Sequence, residues 1–170
     1  MMELYISLVA MVISLLSVII SVAIYIIGIN RERKQATLDA FNVLQEQVFD
    51  KLNQYTFAEI REVGDIWQKA INDKRKEDEL AKDEREKIDK VVDEYRTLSG
   101  LLARIEHFSL GVNTGIYDVN IAERAATAYL VILYRGKLKP LIEVKQSGKA
   151  NTEYYAEFRK LVERIEKIEK

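Results

Sequence analysis

The hydrophobic pattern divides the chain at one place. From Leu4 to Ile29 there is no charged residue and no proline, and the apolar run is broken only by small residues. About 20 apolar residues cross the hydrocarbon of a bilayer as a helix, so this longer stretch spans with room for tilt. After Asn30 the pattern changes. Apolar positions now recur at spacings of three and four between charges, the signature of amphipathic helices packed on one another.

Leu38, Phe41, Leu44, Val48, Leu52 and Tyr55 form the first such face, within Arg31–Tyr55. No stop signal separates it from the apolar stretch, which predicts one helix leaving the membrane. Pairing with copies of itself and packing onto the rest of the domain are the two uses for this face. The bulk of Phe41 and Tyr55 favours the second. Thr56-Phe57-Ala58-Glu59 is a capping box, with Tyr55 and Ile60 placed for a hydrophobic staple. It opens a helix whose apolar positions are Phe57, Ile60, Val63, Ile66, Trp67, Ala70 and Ile71, with Trp67 expected as a core anchor. Asn72–Lys87 is nearly all charge of mixed sign and reads as a solvated helix or hairpin tip.

Ile88–Val112 resumes the helical period through Val91, Tyr95, Leu98, Leu102, Ile105 and Phe108, with Leu110 counted on the same face. Gly111–Asp118 is the sharpest break in the chain. Gly111 or Gly115 can take the positive φ that stops a helix, and Asp118 can cap the next one. Val119–Gln146 carries Ile121, Ala125, Tyr129, Ile132, Leu133, Leu138, Leu141 and Ile142, and Pro140 should kink or restart it near Lys137. Ser147–Asn151 reads as a loop before a last helix, Thr152–Ile168, which buries Tyr154 or Tyr155, Phe158, Leu161, Val162 and Ile165. The fold class is therefore all-α: one N-terminal transmembrane helix continuing into a cytoplasmic bundle of about four to five helices. Residues 1–30 are the anchor, 31–55 a juxtamembrane helix and 56–170 the helical domain.

Charge sets the orientation. Arg31, Arg33 and Lys34 stand at one exit of the span and only Glu3 at the other. Positive residues stay inside, so the N-terminus is expected outside and the C-terminal domain in the cytoplasm of a cell with an inner membrane. A cleaved signal peptide fits poorly, because the apolar run is too long and no basic residue precedes it. Excluding Glu3, the 26 basic residues face 26 of the 27 acidic ones, a balance that argues against a nucleic-acid polymer as partner. The chain has no cysteine and one histidine, and no phosphate-binding glycine loop appears. No cofactor and no metal are expected, and an enzyme is disfavoured.

Two sets of residues suggest binding. Ser7, Ala10, Ser14, Ser17, Ser21 and Gly28 line one seam of the apolar helix. Small residues let helices approach closely in lipid, so the seam predicts a homo-oligomer. Hydroxyls bonded back to their own helix, or a serine-lined pore, are the other readings of the same residues. Arg104, His107, Arg124, Arg135 and Lys137, with Lys139, form a basic set that could gather around an anionic ligand such as a nucleotide signal. Glu106 and Asp118 could do acid–base work, but capping and turn roles explain them more simply. The leading expectation is a membrane-tethered interaction module that self-associates and engages an unidentified protein partner. The alternative is a tethered sensor of an anionic small ligand. A role in envelope stress or phage defence would suit either, though no residue speaks to it.

The segments LLARIEHFSLGVNTGIYD, then Tyr134, LKPLIE and TEYYAEFRKLVERI, carry a resemblance over residues 98–168. They are similar to the C-terminal part of a bacterial family of small single-span membrane proteins whose helical domain has no known function. The matching residues are Glu106, Gly111, Val112, Gly115, Tyr117, Asp118, Pro140, Ile142, Tyr155 and Phe158. Ala103 stands where that family usually has Asn, and Arg104 and Tyr134 where it has larger aromatics. The resemblance implies an N-terminal span and a helical cytoplasmic domain, and implies no activity.

Overall fold

The computed structural model describes residues 2–72, 82–146 and 154–168, and the described residues form seven α-helices and no strand. Helix α1 (Met2–Leu44) runs without interruption from the apolar stretch into the amphipathic one. It continues through a π-helical turn, Gln45–Phe49, into the short α2 (Asp50–Asn53). The rest of the chain forms α3 (Phe57–Asn72), α4 (Lys82–Asn113), α5 (Val119–Ile132), a second π-helical turn (Leu133–Lys137), α6 (Lys139–Gln146) and α7 (Ala156–Ile168). The charge-rich expectation for residues 73–81 and the loop at 147–151 fall outside the described residues.

The two halves of α1 have opposite surroundings. Every side chain described from Tyr5 to Ile27 is exposed, and α1 is long and apolar enough to cross a membrane. Below Arg31 the same helix packs into the bundle. Thr37, Leu44, Val48, Phe49 and Leu52 are buried, with Ala40, Phe41 and Tyr55 half-buried beside them. Leu38, expected on this face, points away and is 40% exposed. The π turn is what lets the adjacent Val48 and Phe49 both reach the core, because it widens the helix by one residue.

Helix α4 is the centre of the bundle and packs against α7, α3 and α1. Leu98, Leu102, Ile105 and Phe108 meet Phe158, Leu161, Val162 and Ile165 of α7 in one core. Leu110 falls outside it and is 41% exposed. Trp67 of α3 stacks on Tyr95 of α4, with centroids 4.3 Å apart, at the edge of the core.

The capping box forms as the sequence indicates. The Thr56 N–H donates to Glu59 Oε2 at 2.6 Å, the Thr56 hydroxyl donates to the same oxygen at 2.8 Å, and the Glu59 N–H donates to Thr56 Oγ1 at 3.2 Å. Pro140 sits in the first turn of α6, where its missing N–H costs nothing. The chain restarts at Leu138, whose N–H donates to Leu133 O.

Helix α5 corrects the sequence reading. Among its described side chains Ala122, Ala126 and Leu130 are buried and Tyr129 is half-buried against the core, whereas Ala125 is exposed and Ile132 is 63% exposed. Leu133 is buried, as expected, in the π-helical turn that follows. The buried face is turned by about one residue, 100° on a helix. Two alanines on that face let α5 lie close to α1, and close approach outweighs the burial of a larger Ile.

The turn after α4 explains its two glycines differently. Gly115 has φ +78°, the left-handed conformation that ends the helix. Gly111 is needed for space: a Cβ there would stand 2.4 Å from Cε2 of Tyr117, whose ring stacks on Phe108.

Two predictions follow from these local structures. Gly111→Ala should destabilise by about 1–3 kcal/mol through overpacking. Most of that cost should vanish in a Tyr117→Ala background, as a double-mutant cycle in thermal unfolding of the purified chain would show. An additive pair would mean that the ring is not the obstacle. The second concerns acid. The hydrogen bonds from Thr56 hold the Glu59 carboxyl below its ordinary value of 4.5. A depressed carboxyl stabilises fully above that value and loses its contribution as pH falls through the folded one. Glu59→Gln should therefore flatten the dependence of Tm on pH in the acid range and leave its neutral slope unchanged.

Candidate functional site

Two side chains on α1 tie the apolar helix to the bundle just below the expected membrane exit. The Thr37 hydroxyl is fully buried. It donates to Arg33 O at 2.7 Å and accepts the Asp118 N–H at 2.7 Å. Asp118 in turn caps α5, its Oδ1 accepting the Ile121 N–H at 3.1 Å, while Arg33 Nη2 stands 3.9 Å from its Oδ2. One hydroxyl thus joins the exit of α1 to the turn and to the start of α5. Thr37 was invisible to the sequence reading, since a threonine on a polar stalk gives no periodic signal.

Beside this joint a groove of about 810 Å³ opens between α1 and α4. Ala36, Ala40, Val43 and Leu44 form one wall. Phe108, Leu110, Gly111, Ile116 and Tyr117 form the other. Asp39, Gln47, Arg104 and His107 stand among them as its polar groups. The turn shapes the site directly, because the bare Cα of Gly111 lets the Tyr117 ring lie flat along the wall. Val43, Leu110 and Ile116 are exposed at its lip, with Ile116 the most open at 65%.

The carboxylates considered for acid–base work hold helix ends. Glu106 reaches across from α4 to the start of α7, where it accepts the N–H of Glu157 at 3.0 Å and of Phe158 at 2.7 Å. It caps that helix from outside the helix. The preceding Tyr155 has φ +60° and is buried, which pushes its phenol up to about 12. Asn113 completes this joint by donating to Glu157 O and to Glu157 Oε2. Hydrogen bonds from Lys160 and Asn113 hold the Glu157 carboxyl low.

The basic set is distributed. Arg104 and His107 border the α1–α4 groove, and Arg104 donates to Gln47. Arg135 makes a two-pronged contact with Glu166 on α7, at 3.0 and 2.9 Å. It lines a different, more polar cleft of about 590 Å³ with Arg61, Asp65, Lys139 and Glu143. In that cleft Arg61 pairs with Asp65, and Lys139 with Glu143. Lys137 donates to Leu52 O at the end of α2, where burial pushes its ammonium down against the pull of Glu59. Arg124 is exposed on α5. In the apolar helix, Ser7, Ala10, Ser14, Ser17 and Ser21 are exposed and Gly28 is half-exposed. Ser17 Oγ donates to Ile13 O and Ser21 Oγ to Ser17 O, so these two hydroxyls bond back to their own helix, the alternative use of the seam serines.

Thr37→Val tests the joint. It keeps the shape and leaves the Asp118 N–H buried without an acceptor, a cost of about 1–3 kcal/mol. Thr37→Ser, which keeps the hydroxyl, should recover most of it in thermal unfolding. Equal losses in the two variants would assign the effect to packing of the methyl group.

No curated protein and no solved structure matches the chain. A family match covers residues 8–165, from inside the apolar helix to the last turns of α7. It is wider than the C-terminal resemblance and takes in both walls of the groove and the Thr37 joint. The chain belongs to this family, described as a domain of unknown function, DUF4760.

Proposed function

We propose that this chain is a membrane-anchored, self-associating helical interaction module of the bacterial inner membrane, with its bundle in the cytoplasm and no catalytic role. The observation that carries the reading is the division of α1 into an uncovered apolar half and a half packed into the bundle, with no break between them. A soluble domain would not leave every described side chain from Tyr5 to Ile27 in water. The basic residues at the exit favour the cytoplasmic side for the bundle.

The α1–α4 groove is the surface offered to a protein partner. Its walls are apolar, and it lies about 8–24 Å below Arg31, counted along the helix at 1.5 Å per residue. The second reading, a tethered sensor of an anionic small ligand, draws on Arg104 and His107 at the same groove. Apolar walls and the engagement of Arg135 and Lys137 elsewhere favour a protein segment over an anion.

A reporter fused after Lys170 should be active only when it reads the cytoplasm, and periplasmic activity would overturn the orientation. Self-association is tested separately. Serine contacts in lipid contribute about 0.5–1 kcal/mol each. Ser14→Leu with Ser17→Leu should then weaken association in a membrane two-hybrid assay by roughly tenfold. Leu15→Ile with Leu16→Ile, off the seam, should not.

A further inference from the structure

Below the membrane exit α1 has two faces. Thr37, Ala40 and Leu44 share one side and pack on the bundle. Gln35, Leu38 and Asn42, with Gln45 at the first position of the π-helical turn, share another side, and all four are exposed. Their spacing of 3, 4 and 3 is that of a coiled-coil seam. No described element of the bundle covers them.

We infer that this face of α1 pairs in parallel with α1 of a second copy, making a two-stranded stalk between the membrane and the bundles. The inference rests on the membrane anchoring and self-association proposed above, since two spans inserted in the same sense can only run parallel. Three features of the helix point to a second copy of this chain as the occupant.

The first is register. Stepping back by seven from Asn42 and Gln35 gives Gly28, Ser21, Ser14 and Ser7, and from Leu38 gives Arg31, Ile24, Ser17 and Ala10, so the stalk face keeps the period of the apolar seam, with Ile24 and Arg31 as its large members. In the same register Thr37, Ala40 and Leu44 fall on the outside of the pair. Each bundle then hangs away from the axis and does not obstruct the stalk.

The second is charge. In a parallel pair the residues flanking the seam meet across it at an offset of five. Lys34 of one copy then faces Asp39 of the other, twice by symmetry. Both are exposed, and Asp39 accepts a hydrogen bond from Gln35 Nε2 at 2.9 Å. The third is the polar layer. Gln35 and Asn42 meet their own counterparts, and an Asn at such a position specifies register at a cost in stability.

The π turn closes the stalk. From Gln45 to Phe49 the helix no longer keeps the heptad period, and Val48 and Phe49 turn into the core of their own bundle. About two heptads are too short to pair alone in water, and the shared membrane supplies the effective concentration.

The chain has no cysteine, so each single cysteine is a clean reporter in the full-length protein. In oxidised membrane vesicles, Gln35→Cys, Leu38→Cys and Asn42→Cys should crosslink strongly. Ala36→Cys and Val43→Cys, exposed but off the seam, should crosslink weakly. In the Leu38→Cys protein, Lys34→Asp or Asp39→Lys alone should reduce crosslinking roughly fivefold, and the double exchange should restore it. Ser14→Cys reports the membrane contact independently. Crosslinking at Ser14→Cys with a flat profile from 35 to 43 would overturn the stalk and leave self-association standing. No crosslink at either level would overturn both. Maxima at Ala36→Cys and Val43→Cys would overturn the stalk by moving the contact to the α1–α4 groove.

Discussion

The buried hydroxyl of Thr37 is where an apolar helix becomes part of a folded domain. A helix of 43 residues has no internal reason to hold one orientation relative to a bundle attached to its lower third. The orientation comes from the buried Leu44, Val48, Phe49 and Leu52 together with a hydrogen bond that spans 81 positions of sequence, from Asp118 N–H to Thr37 Oγ1, in a site closed to water. A buried amide without an acceptor is costly, so this bond leaves α1 little freedom to rotate against α5. The cap on α5 and the Arg33 contact meet at the side chain of the same Asp118.

The residues of the C-terminal resemblance acquire physical roles in the same way. Gly111 clears space for Tyr117, Gly115 supplies the left-handed turn, and Asp118 caps α5. Glu106 caps α7 from a neighbouring helix, Tyr155 takes the strained turn before it, and Phe158 fills the core behind it. These are joints between helices. These roles belong to a bundle whose helix ends are closed by groups from elsewhere in the chain.

What was legible in the sequence was local. The capping box, the positive φ at Gly115, the Asp118 cap and the unbroken α1 each depend on a few adjacent residues. The burial of α5 was not legible, because its choice of Ala122 and Ala126 over Ala125 and Ile132 reflects how closely α1 lies, and single-helix periodicity carries no such distance. The two π turns were hidden for a related reason: nothing in the apolar spacing of Leu44, Val48 and Leu52 announces an extra residue between turns. The basic set looked like one site because charge was counted along the chain. In three dimensions Arg135 finds Glu166, and Lys137 finds the carbonyl at the end of α2, each a nearby partner that sequence distance conceals.

The two exposed surfaces of α1 are mutually consistent in a way that follows from helix geometry alone. A straight helix offers about 360° of surface, and the bundle uses the side that carries Thr37 and Leu44. The groove opens at one margin of that side through Ala36 and Val43, and the proposed stalk seam lies toward its other margin, through Leu38 and Asn42. A copy paired along the seam would engage Asp39, which also borders the groove, and leave the apolar walls of the groove uncovered. Pairing and partner binding can proceed on the same helix, and any partner seated in the groove would touch the segment whose rotation Thr37 fixes. Binding that strains the Thr37–Asp118 bond would act on the angle of the apolar helix, since α1 runs unbroken between them.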